Sequence, residues 1–135
     1  MLTNPAQATN MLRRMDFGKV LVPVSGDPVD EEVIRMACDL AQDSGALVRA
    51  LYVIEVERSL PLDAPVERET ARAEEILARA QEFAHEAGHG IETGLLQARE
   101  AGPAIVHEAT EGRADLIVMG VGYHRRAGVF DMGDT

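Results

Sequence analysis

An α/β fold built on a parallel sheet is what this sequence predicts, and three observations predict it. The candidate strands Lys19–Val24, Leu47–Ile54 and Leu116–Met119 are continuous apolar runs, not alternating ones, which is the pattern of strands buried on both faces. Between them lie stretches whose apolar residues recur every three or four positions, the spacing of one helical face. Glycines stand directly after strands, at Ser25-Gly26 and Met119-Gly120, where open α/β sheets place their ligands.

Taken in order, residues 1–16 carry Asn, Thr, Gln and Pro without apolar periodicity and read as an N-terminal extension to a domain spanning 17–135. Lys19–Val24 is the first strand, with Pro23 tolerated near its end. Asp27 is placed to cap a helix whose first position is Pro28. Val29, Val33, Met36, Ala37, Leu40 and Ala41 form its apolar stripe, and Gly45 ends it. After the strand Leu47–Ile54, the segment Glu55–Val66 holds Pro61 and Pro65 and no periodicity, a long connection of the kind that forms a lid or a protein-partner surface. Ala73, Ile76, Leu77, Ala80, Phe83, Ala84 and Ala87 trace a helix over Glu67–Ala87, with Glu75 and Arg79 spaced for a supporting pair. Ile91–Leu96 is a strand interrupted by Gly94. Gly102-Pro103 opens a short helix carrying Ala104, Ile105, Val106 and Ala109, which Gly112 closes before the last strand. The order β-α-β-α-β-α-β implies right-handed crossovers and helices on both faces of the sheet.

A chain of 135 residues suits one domain. Its net charge of -10 and pI near 4.8 argue against nucleic-acid or anionic-membrane partners, which require a basic footprint. No apolar run approaches the ~20 residues that span a bilayer, and the expected location is the cytoplasm. Cys38 is a single cysteine, so no internal disulfide is expected, and it reads as a small apolar residue on a helix. Met36 and Met119 are expected as core filler.

His85-Glu86-Ala87-Gly88-His89 matches the zinc pattern H-E-x-x-H, which places two ligands one helical turn apart. Gly88 and Gly90 fall where this helix should stop, which removes His89 from the shared face, so no metal ligand is assigned. His107 beside Glu108 has no nucleophile or second ligand at a suggestive spacing, and no catalytic residue is assigned. The stretch Gly120–Gly133 stands apart, because glycine density and position after a buried strand coincide there.

Lys19-Val20-Leu21-Val22-Pro23-Val24 before a glycine turn and an Ala-containing helix, Leu51-Tyr52-Val53, and Ala114-Asp115-Leu116-Ile117-Val118-Met119-Gly120 together resemble the universal stress protein family. The resemblance covers about Phe17 to Thr135. It implies a Rossmann-like (adenine nucleotide alpha hydrolase-like) three-layer α/β/α sandwich with a parallel sheet, a regulatory, non-enzymatic role in stress response, a homodimer, and ATP or AMP as the ligand of some members. It also implies cofactor-binding positions at Pro23, Val24, Ser25, Gly26, Val53, Met119, Gly120, Gly122, Tyr123, Arg125, Gly133 and Asp134. Binding members carry G-x-x-G, nine residues, then G followed by Ser or Thr. Gly120 and Gly133 match the first and third glycines, whereas Tyr123 replaces the second and Asp134 replaces the hydroxyl residue. Ser25 stands where the family usually places an aspartate that contacts the sugar. A carboxylate about 5 Å from a phosphate charge at an effective dielectric of about 20 costs roughly 3 kcal/mol, so the loop reads as degenerate. The resemblance implies a further strand after Gly120, where no apolar run follows, so that strand is expected to be missing and an exposed sheet edge to invite pairing with a second chain.

Overall fold

The computed structural model describes residues 18–120. Its elements are β1 (Lys19–Pro23), α1 (Val29–Ser44), β2 (Leu47–Glu55), α2 (Glu67–Glu86), β3 (Glu92–Ala98), α3 (Ala101–Glu111) and β4 (Leu116–Ile117). The four strands form one parallel sheet in the order β3-β2-β1-β4. The expected N-terminal extension lies outside the described residues, as do all positions after Gly120.

Strand parity assigns the two faces. Val20, Val22 and Val24 of β1 and its end, with Val48 and Ala50 of β2, meet Val33, Ile34, Ala37, Cys38 and Ala41 of α1 and Ile76, Leu77, Ala80 and Ala84 of α2 in one buried cluster. Cys38 is fully buried there as a small apolar residue. Residues of opposite parity, Arg49 and Leu51 among them, face α3, and Arg49 reaches Glu108 at 3.7 Å. That face is thinly covered, since α3 contributes no buried residue and leaves Val106 exposed. Leu21 and Leu51 are nonetheless fully buried, as expected of central strands with apolar residues on both faces.

Several boundaries move. Helix α1 begins at Val29, one residue later than expected, although Asp27 does cap it, its carboxylate accepting the Val29 N–H at 3.1 Å. β4 stops at Ile117 instead of Met119, yet the Val118 N–H still donates to the Leu21 carbonyl at 3.0 Å. β3 runs through Gly94 to Ala98. Gly94 interrupts nothing, because it stands opposite Leu51 and leaves room for the Arg49 guanidinium, which a Cβ there would strike. Met36 and Met119 are not core filler, being exposed at 37% and 51%. Met36 lies on the exposed side of α1, and Met119 lies past the end of β4. Arg79 lies over the Phe83 ring, 5.3 Å from its centroid, where a pair with Glu75 was expected. Helix α2 ends at Glu86 and Gly88 takes a left-handed φ of 81°, which carries His89 off the helix face as its glycines predict. Among the described residues no helix is long and apolar enough to cross a membrane.

Candidate functional site

The crevice of interest opens where the chain leaves the sheet in two directions. Helix α1 departs from β1 over one face, while α3 approaches β4 over the other, so a gap forms beyond the carboxyl ends of β1, β2 and β4. The gap holds about 500 Å³, within the usual range for a small-molecule site. Pro23, Val24, Ser25, Val53, Met119 and Gly120 line it, joined by Tyr52, Asp30, Glu55 and Glu69 and by Ala101 and Ile105 of α3. Gly26 does not. It faces a neighbouring cavity of about 460 Å³ between α1 and α2, beside Arg72, Ile76 and Phe83. With φ of 89°, a Cβ on Gly26 would come 2.8 Å from Ile76 Cδ1, so this glycine serves the seating of the turn against α2. Gly122, Tyr123, Arg125, Gly133 and Asp134 lie outside the described residues.

Asp30 is the residue that sequence reasoning missed. Its carboxylate accepts the Gly26 N–H at 2.7 Å and the Ser25 N–H at 3.1 Å, and it is 7% exposed, the one buried charged residue among those described. The amides at the end of β1, which a ligand oxygen could have used, are therefore already engaged. Burial pushes the Asp30 carboxyl above its ordinary value, the two amide hydrogen bonds pull against that, and the Asp27 charge adds to the rise. In the sequence Asp30 stands with Glu31 and Glu32 as one of three acids in a first helical turn, the ordinary complement to a helix dipole. The available signal was a short acid four and five residues beyond a strand-ending Ser-Gly pair.

Two other motif residues have architectural work. Asp115 Oδ2 accepts the Gly18 and Lys19 N–H groups at 2.7 and 3.2 Å, tying the start of β4 to the start of β1 at the end of the sheet away from the crevice. Gly120 abuts the first residue of α1, and a Cβ there would lie 3.2 Å from Val29 Cβ and nearer still to its methyls.

The crevice mouth is held by side chains on loops. Glu55 accepts the Ala101 N–H at 2.8 Å, fixing the start of α3 to the end of β2. Gln97 donates to the Leu62 and Ala64 carbonyls, and Arg99 donates to those of Val56 and Glu57, so the long connection is strapped to the end of β3. Leu60 and Leu62 on that connection are exposed. Among the described lining residues there are three carboxylates, two hydroxyls at Ser25 and Tyr52, and no lysine, arginine or histidine. This half of the crevice suits an apolar ring and hydrogen-bond donors, and among the described residues it offers a phosphate no cationic partner.

The family model for the universal stress protein family matches residues 16–133. A universal stress protein of Methanocaldococcus jannaschii is 32% identical over 110 residues, which is 77% of this chain and 64% of the relative, so the chain spans about two thirds or less of that protein's length. Among solved structures, the universal stress protein from Archaeoglobus fulgidus in complex with dAMP is 25% identical, with a TM-score of 0.66 over 79% of this chain and 83% of that one. A universal stress protein in complex with cAMP is also 25% identical, with a TM-score of 0.64 over 84% of this chain and 81% of that one. The parallel sheet, its crossovers and these matches together identify a Rossmann-like α/β domain, and the chain belongs to the universal stress protein family.

Proposed function

We propose that this chain is a non-enzymatic regulatory domain of the stress response whose crevice admits the adenosine part of an adenine nucleotide and holds its phosphates weakly or not at all. The observation that carries this reading is the engagement of the Ser25 and Gly26 amides by Asp30, in a crevice of nucleoside size without a cationic lining residue among those described. Ser25 in place of a strand-end aspartate, and Tyr123 and Asp134 in the final loop, point the same way. The regulatory reading is supported by membership of the universal stress protein family. Calorimetry with ATP and with AMP tests the proposal. Dissociation constants weaker than about 10 μM are expected, and submicromolar affinity for either nucleotide would overturn it. Phosphate release from ATP well above a protein-free blank, abolished by substitutions at Gly120 or Gly133, would overturn the non-enzymatic assignment.

A second reading, a working nucleotide sensor, is favoured by one observation: relatives of similar fold were solved with dAMP and cAMP. The two readings separate on the double variant Ser25→Asp with Asp134→Ser. Restored tight binding supports degeneracy, and affinity that was already tight without it supports the sensor.

A further inference from the structure

We propose that Asp30 is a specificity-determining residue of the crevice, one that ranks ligands by charge: it accepts neutral donors such as sugar hydroxyls or an amino group and discriminates against phosphorylated forms of the same ligand. The inference rests on the adenine-nucleotide reading and deepens it. Hydrogen bonds from two amides fix the carboxylate, at 2.7 Å from Gly26 and at 3.1 and 3.3 Å from Ser25, so it cannot swing aside to make way for an anion. A carboxylate has about four lone-pair positions, so capacity remains beyond these amide hydrogen bonds, and Asp30 borders the crevice as well as the cavity beside it.

The groups facing Asp30 do not cancel its charge. Glu55 and Glu69 line the same crevice, and Asp27 lies in its own turn. Arg72 and Arg79 of α2 line the second cavity, which Asp30 also borders together with Glu31 and Glu75, but neither arginine forms an ion pair with Asp30 among the described residues, and the charge that acts on its carboxyl is that of Asp27. A desolvated charge is screened less by salt than an exposed one. At an effective dielectric of about 20, one phosphate charge even ~10 Å from Asp30 loses roughly tenfold in affinity.

The test is calorimetric titration of adenosine and of AMP into the wild-type chain, Asp30→Asn and Asp30→Ser, the last two keeping an uncharged acceptor for the turn amides. The expected result is a shift of the adenosine-to-AMP affinity ratio by roughly tenfold toward AMP in either variant, with AMP tightening and adenosine unchanged or weakened. Equal changes for both ligands, or a weakening of AMP alone, would show that Asp30 only holds the turn. Wild-type protein alone supplies an independent reading if the variants fold poorly: adenosine should bind roughly tenfold more tightly than AMP, and an AMP affinity equal to or above that of adenosine overturns the inference. Binding of both ligands with an unaltered ratio sinks this inference alone, whereas no heat from either ligand in any of the three proteins sinks the nucleotide reading and this inference with it.

Discussion

Replacing Gly120 by alanine separates two reasons for a glycine at a strand end. One is close approach of a ligand to the backbone, which the sequence suggests. The other is the position of Val29, whose Cβ would lie 3.2 Å from the new methyl and whose Cγ2 would lie 2.9 Å from it. Both Val29 methyls lie closer to the new methyl than its Cβ does, and rotation about χ1 does not clear them, because a β-branched side chain in a helix has one strongly preferred rotamer. Overpacking of this kind costs about 1–3 kcal/mol. The lower entropy of an unfolded alanine chain returns about 0.4–1 kcal/mol. A net loss of roughly 1–2 kcal/mol follows, a fall in Tm of about 5–10 °C. Val29 is partly buried, so Val29→Ala alone should cost about 1 kcal/mol. The double variant should recover most of the Gly120→Ala loss, giving a favourable coupling of about 1 kcal/mol in a cycle measured by urea unfolding. Additivity of the two substitutions within about 0.5 kcal/mol would refute the packing argument, and a Gly120→Ala protein of unchanged stability that loses nucleotide binding would return the glycine to the ligand.

Three further outcomes are expected. Gly94→Ala should cost about 1 kcal/mol at most, since what its methyl displaces is the guanidinium end of the flexible Arg49 side chain, and the same substitution in an Arg49→Ala background should cost nothing in a denaturant titration; an equal cost in both backgrounds would show that Arg49 is not the obstacle. Asp30 has a folded pKa raised above the ordinary 3.8, so its folded form holds its proton to higher pH than the unfolded chain does. Its contribution to stability is therefore fully present below about the unfolded value and is lost as pH rises through the folded one, and the stability of wild type relative to Asp30→Asn should climb as pH is lowered through the carboxylate range; thermal melts showing the opposite slope would contradict it. The outer edge of β4 carries no partner strand among the described residues, and Ile117 is exposed on it. We propose that a second copy pairs there, so light scattering across a dilution series should detect a dimer that Ile117→Lys weakens, and a wild-type chain monomeric at tens of micromolar would rule it out.

The order of elements was legible because each depends on local pattern alone. Apolar runs on both faces gave β1 and β2, and the stripe from Ala73 to Ala84 gave α2. What was not legible depends on register or on a third element. The purpose of Gly94 requires knowing that it pairs with Leu51 and that Arg49, two residues earlier on the neighbouring strand, leans across it. The exposure of Met119 requires knowing that, among the described residues, α3 alone covers the outer face in this part of the molecule. Asp30 was hidden for a different reason: its neighbours Glu31 and Glu32 make an acid at that position look ordinary, and only the backbone of the Ser25-Gly26 turn distinguishes it.

The same topology that opens the crevice also constrains what can be altered in it. Because α1 and α3 leave the sheet over opposite faces beside β1, the first turn of α1 is brought against the end of β4, which is why Val29 meets Gly120 and why Asp30, one residue on, reaches back to the end of β1. The contact between Val29 and Gly120 belongs to the framework, and a change there perturbs folding before it perturbs recognition. Ser25 is exposed and its hydroxyl makes no side-chain hydrogen bond among the described residues, so it can change with little cost to the fold. An aspartate introduced at Ser25 would place a second carboxylate beside the fixed one of Asp30, and two charges at such a separation resist simultaneous ionisation. The restoring substitution at Ser25 should therefore be more effective when Asp30 is also replaced by serine, an ordering that Ser25→Asp in the two backgrounds can establish by calorimetry. Equal gain in both would mean that the two carboxylates do not share the crevice wall.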